Sequence, residues 1–179
     1  MSKIWSKTRK HLKSMLCIEL RDRLDYHYIA YGSDSHEGCY RVAVFLDGKE
    51  LHNKISITCC HFYRTVSSIA ENIDEKDVKE KSQVSYWRLK DEIKEKAEKK
   101  ANERGRFGLL DFRVAYELFS TLKIEECIKH ESLLLRFLAI VDRRVGKRTL
   151  NRLNESVKSW PKWLQYFYSL RVGVKEEKT

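Results

Sequence analysis

The chain has 179 residues, 42% hydrophobic and 35% charged, which is enough apolar material for a real core and excludes bulk disorder. Lysine and arginine number 36 against 26 acids, giving a formal net charge of +10. A basic excess of this size raises DNA, RNA or an anionic surface as partners. It does not separate them from a basic, highly soluble protein that binds no polyanion.

Residues 3 to about 21 carry Trp5, Thr8, Leu12, Met15 and Leu16 at helical spacing, with Lys3, Lys7, Lys10 and Arg21 opposite. Ser2 is placed to cap this helix. Two alternating segments follow, Leu24/Tyr26/Tyr28/Ala30 and Tyr40/Val42/Val44/Leu46, separated by a loop over 32–39. Asp47-Gly48 is a two-residue hairpin signal, and Leu51, Asn53, Ile55 and Ile57 predict a third strand. Residues 24–58 thus predict a three-stranded antiparallel meander with the first helix on one face.

Phe62, Val66, Ile69 and Ile73 mark a short helix, and the polar stretch 74–82 is the candidate subdomain boundary. A long, thinly striped helix is expected over 84–104, stopped by Gly105. Beyond it, Asp111 and Ser132 are placed to cap helices, 149–157 predicts another, and Pro161 opens a last one through Leu164, Phe167 and Leu170. The fold class is therefore α+β. A single domain over 1–179 divides into a helix-plus-sheet subdomain over 1–73 and an all-helical subdomain over 83–174.

Two basic concentrations stand out. Met1 to Ser14 holds five cations and no acid, among them Lys3, Lys7, Lys10 and Lys13. Each phosphate neutralised by such groups releases counterions. The competing account is a solvated helix face. The second is Asp142-Arg143-Arg144-Val145-Gly146-Lys147-Arg148 at a helix-to-helix turn, with Arg152 one turn on. Here Asp142 pairing with Arg143 or Arg144 would fix the turn while Lys147 and Arg148 stay exposed, or several of the cations would form an anion site. Tyr28, Tyr31 and Trp160 are the candidate rings for stacking on a single strand.

The last helix offers a different reading, a protein-interaction module of inhibitor or immunity type. Trp160, Trp163, Tyr166 and Tyr168 crowd it, and aromatics are enriched at interface hot spots. A small hydrolytic enzyme built from Asp25, His27 and His36 is the third reading. No phosphate loop, nucleophile elbow, dinucleotide fingerprint or zinc-protease motif occurs, so no catalytic residue and no cofactor is assigned. Cys59-Cys60-His61, with His36 and Cys39 upstream, lacks the spacing of a zinc site, and no metal ligand is assigned. Without a signal-like leader, a lipidation motif or an apolar run of about eighteen residues, the expectation is a cytoplasmic protein without a membrane partner. Five cysteines, an odd number, read as reduced thiols. Oligomeric state is not legible.

Four segments carry a resemblance. They are Trp5 to Lys10 with Leu16-Cys17, Arg41 to Leu51, Leu138 to Leu150, and Trp163 to Arg171. In that order they resemble a family of uncharacterised bacterial proteins first named from a Shigella open reading frame. The resemblance implies a bacterial cytosolic protein of one intact domain and brings no activity, substrate or catalytic residue.

Overall fold

The computed structural model describes residues 2–30, 40–73 and 86–173. The first helix, α1 (Ser2–Met15), ends well short of the predicted residue 21, and Ser2 lies inside it instead of capping it. Tertiary hydrogen bonds override the local periodicity at its end. Leu16 pairs with Asp142 as an isolated bridge, and Cys17 N–H donates to the Val141 carbonyl at 2.9 Å. The chain then descends through turns that bury Leu20 and leave Ile18 78% exposed.

The strands are β1 (Leu24–Ala30), β2 (Tyr40–Leu46), β3 (Lys49–Glu50), β4 (Ser56–Thr58) and β5 (Arg106–Gly108). β1 and β2 pair antiparallel along their full length, Leu24 opposite Leu46 and Ala30 opposite Tyr40. The Asp47-Gly48 hairpin forms as expected. Asp47 takes φ 51° and Gly48 φ 76°, the positive values a two-residue turn of this kind needs.

The expected third strand is corrected in two ways. It is broken into β3 and β4 by a turn in which Lys54 and Ile55 N–H groups both donate to the Leu51 carbonyl. The two pieces pair with opposite ends of β2, antiparallel in both cases. The sheet is also larger and mixed. β5 runs parallel to β4, with Ile57 opposite Phe107, for the order β1-β2-β4-β5 and β3 beside β2. A three-residue strand after a glycine carries too little alternation to be seen in sequence, so the C-terminal half is not wholly helical.

The helices are α2 (Cys60–Glu71), α3 (Asp91–Glu103), α4 (Leu109–Thr121), α5 (Ile124–Lys129), α6 (Leu133–Ile140), α7 (Lys147–Val157) and α8 (Lys162–Val172), with a 3-10 turn at Tyr86–Arg88. The long helix expected over 84–104 starts only at Asp91, because the chain first makes that 3-10 turn. Ser132 caps α6 through the Leu135 N–H, whereas Asp111 acts from within the first turn of α4, accepting from Gly108 N–H at 2.8 Å. Pro161 stands one place before α8.

Among the described residues two cores form. The larger joins α1 and the sheet face bearing Tyr26, Val42, Val44, Ile57 and Phe107 to α4 through α8. The smaller lies between α2 and α3 and gathers Phe62, Val66, Ile69, Tyr86, Ala97 and Ala101.

A candidate polyanion-binding surface

α1 divides its side chains three ways. Leu12 and Leu16 are buried, and Trp5 packs on Tyr28 and Phe112 at 5.5 and 6.3 Å between ring centroids. Arg9 and Lys13 turn to the edge strand, where Asp25 accepts from Arg9 Nε at 2.9 Å and from Lys13 Nζ at 3.4 Å. Burial works against the Asp25 carboxylate. The Arg9 guanidinium, the Tyr26 N–H and Lys13 outweigh it and hold its pKa well below the ordinary range. Lys13 therefore belongs in part to this pair. Lys7 and Lys10 stand exposed, and no ion pair engages either among the described residues. The side chain of Lys3 lies outside the described residues.

The second cluster is built on Asp142, whose side chain is wholly buried. Its carboxylate accepts from the Arg144 backbone N–H at 2.6 Å and from Arg144 Nε and Nη2 at 3.0 and 2.8 Å. The structural role expected of Asp142 is thus carried by Arg144, while Arg143, Lys147 and Arg148 are exposed. Gly146 precedes α7, whose first turn contains Lys147 and Arg148 and no acid. Buried Arg171 ties the turn from below, donating to the Val145 carbonyl at 2.8 Å and pairing with Glu19. The backbone N–H of Glu19, the Cys17 thiol, Arg171 and Lys147 together lower the pKa of that carboxylate.

Two links join the clusters. The end of α1 is stitched to the turn by Arg143 N–H donating to the Met15 carbonyl at 2.7 Å, beside the Leu16–Asp142 bridge. Phe119 of α4 is shared between them. The Arg144 guanidinium lies 5.1 Å over its ring, and the His11 ring approaches it at 6.4 Å while bonding the Tyr116 hydroxyl at 3.0 Å. On a helix, Lys7 and Ser14 flank His11 within one turn on either side. α1 and the α6–α7 turn, the elements that carry the two clusters, therefore meet along one seam. Nothing in the sequence near His11 or Phe119 announced this, because the shared ring lies more than a hundred residues from the helix it meets.

The other expected site residues fall elsewhere. Trp160, Trp163 and Tyr168 are 9%, 4% and 8% exposed. Trp163 Nε1 donates to the Asn102 carbonyl and Tyr168 Oη to the Leu150 carbonyl, so these rings are core, with Tyr166 half-buried beneath Lys54. Tyr28 stacks on Tyr40 at 5.3 Å, and Tyr31 lies outside the described residues. Of the hydrolytic set, His27 Nε2 is 3.5 Å from an Asp25 carboxylate already held by Arg9, and His36 lies outside the described residues, as does Cys39. Among the described residues no group of three His, Cys, Asp or Glu could hold a metal ion, and no helix is long and apolar enough to cross a membrane.

The family model described as the SF0329 protein family matches residues 4–172. No curated protein and no solved structure matches the chain.

Proposed function

The chain belongs to the SF0329 protein family, and from that premise we propose that it is a non-enzymatic, cytoplasmic binder of nucleic acid. The single observation that carries the reading is the seam, where α1 is hydrogen-bonded end-on to the α6–α7 turn. Lys7 and Lys10 stand exposed on the first of these elements, and Arg143, Lys147 and Arg148 on the second. Lys13 and Arg144 flank them, each leaning on a carboxylate. Exposed cations carried on helical supports suit phosphate contact, since each phosphate they neutralise releases counterions.

The test is fluorescence anisotropy with short RNA and DNA across a salt series, on the wild type and on a variant carrying Lys7→Glu, Lys10→Glu, Arg143→Glu and Lys147→Glu. Affinity that falls steeply with salt and is lost in the variant supports the reading. No binding even at low salt overturns it. Capture of one stoichiometric protein after nuclease treatment would favour a protein-interaction module instead. Leu110 and Val114, 62% and 48% exposed one turn apart on α4, would then replace the buried aromatics of α8 as its surface.

A further inference from the structure

Of the four tryptophans, Trp5 is half-buried, Trp160 and Trp163 are buried, and Trp87 is 73% exposed. Trp87 is nevertheless held in place. Its ring lies 5.2 Å from that of Tyr63 on α2 and meets the Tyr86 ring edge-on at 4.8 Å. Tyr63 and Tyr86 themselves approach to 4.5 Å, and Tyr86 is a buried member of the smaller core. Trp87 is thus the solvent-facing ring of a packed cluster of three. Its neighbours fix the indole, so little freedom is lost when something stacks on it.

A cation adjoins this cluster. Lys94 Nζ of α3 lies 4.5 Å over the Tyr86 ring. Glu98, one turn along the same helix, gives its carboxylate to the Tyr86 hydroxyl at 2.6 Å and makes no ion pair with Lys94. Two features therefore meet at one place, an open indole and an ammonium that rests on a ring and not on a carboxylate. An alkylammonium ligand would favour the ring faces, but Lys94 already supplies that cation and repels a second. A nucleotide of an unpaired strand uses both features. Its base stacks on the indole, and its phosphate meets the ammonium.

We propose that Trp87 is a stacking residue for an unpaired base of single-stranded nucleic acid, with Lys94 as the adjoining phosphate contact. This rests on the nucleic-acid reading above and adds to it a base contact built on α2, the 3-10 turn and α3. A base paired within a duplex is stacked on its neighbours and does not reach the indole.

The experiment titrates the protein with oligothymidine of about 20 nucleotides, alone and annealed to oligoadenosine, and reads both anisotropy of the labelled strand and tryptophan fluorescence. The single strand is expected to quench the emission of Trp87, and the duplex to leave it unchanged. Trp87→Ala should weaken single-strand binding about fivefold or more and leave duplex binding as it was. Trp87→Phe keeps a stacking face, so it should bind the strand within about twofold of wild type while losing the quench. Single-strand binding without quenching, or with its affinity unchanged in Trp87→Ala, overturns the proposal and leaves the nucleic-acid reading intact. Equal losses for strand and duplex in Trp87→Ala overturn it as well, because they mark a structural role. Failure of both forms to bind at low salt removes the nucleic-acid reading itself and this proposal with it.

Discussion

Asp25 and Asp142 are both carboxylates held by arginine, and their surroundings give them different consequences. Asp25 is partly buried, and its pKa is held below the unfolded value, so it contributes stability that is present above about pH 4 and is lost as the pH falls through the folded pKa. Asp25→Asn should lower unfolding stability by about 1 kcal/mol at neutral pH, a modest figure because Arg9 is 40% exposed. The gap between variant and wild type should close in acid, which urea titrations at several pH values measure. A gap that does not narrow below pH 4 would remove the charge argument. At the seam, Arg144→Ala leaves a wholly buried carboxylate with only a backbone N–H. It should cost about 2–3 kcal/mol, toward the low side for a buried pair because the guanidinium is itself 37% exposed. Arg148→Ala, on an exposed side chain, should stay within about 0.5 kcal/mol in the same urea assay. Equal losses in the two variants would mean that the turn is not built on Asp142. The Asp142 pairing was legible in sequence because its partner is two residues away and the turn chemistry is local. The Asp25 pairing was not, since Arg9 is brought to it only by the packing of α1 along the edge strand.

At the scale of elements, sequence reading worked where periodicity is long and stops are chemical. α2, α4, α6 and α8 follow apolar spacing, and the hairpin follows from Asp47-Gly48. It failed where a tertiary partner decides. α1 stops at Met15 because Leu16 and Cys17 find bonding partners at Val141 and Asp142, and β5 exists because Gly105 brings Arg106–Gly108 alongside β4. Gly105 stops a helix, and the structure adds a second reason for it. Its φ is +73°, and a Cβ there would lie 2.1 Å from the Lys54 carbonyl oxygen and 3.2 Å from the Trp163 ring. Backbone cannot yield as a flexible side chain can, so Gly105→Ala should cost more than about 2 kcal/mol, from both the left-handed conformation and the clash. Thermal unfolding of the variant measures this. A melting temperature equal to wild type would mean that β5 can part from β4 without loss. The aromatic run of α8 shows the converse limit. Trp and Tyr look alike in sequence whether they pack inward or outward, and here Trp163 closes against Phe107 of β5, a strand that sequence did not reveal.

Over the whole molecule, the two cores are unequal, and the candidate site belongs to one of them. The larger core ties α1 to α6 and α8 through Leu12, Leu16, Phe137, Leu138, Leu164 and Phe167, so the supports of both basic clusters share one set of buried side chains. The smaller core between α2 and α3 draws three members, Ala70, Ala97 and Ala101, from residues that bury only a methyl group. The rest of α3 is mostly charged and solvent-facing, with helical stability that must come largely from packing on α2. Regions with little buried apolar area open at lower free energy than the global transition. Native-state amide hydrogen exchange should therefore show α2 and α3 opening before α6 and α8, and the amides at the end of α1 exchanging with the latter group. The same ordering bears on binding. Nucleic acid bound at the seam alone should slow exchange in α1 and the α6–α7 turn and leave α2 and α3 unchanged, because the ligand stabilises only openings that break its own site. If exchange in α2 and α3 were as slow as in α6, or slowed equally on binding, the two cores would be a single cooperative unit. The +10 charge would then be acting on the molecule as a whole and not through the seam.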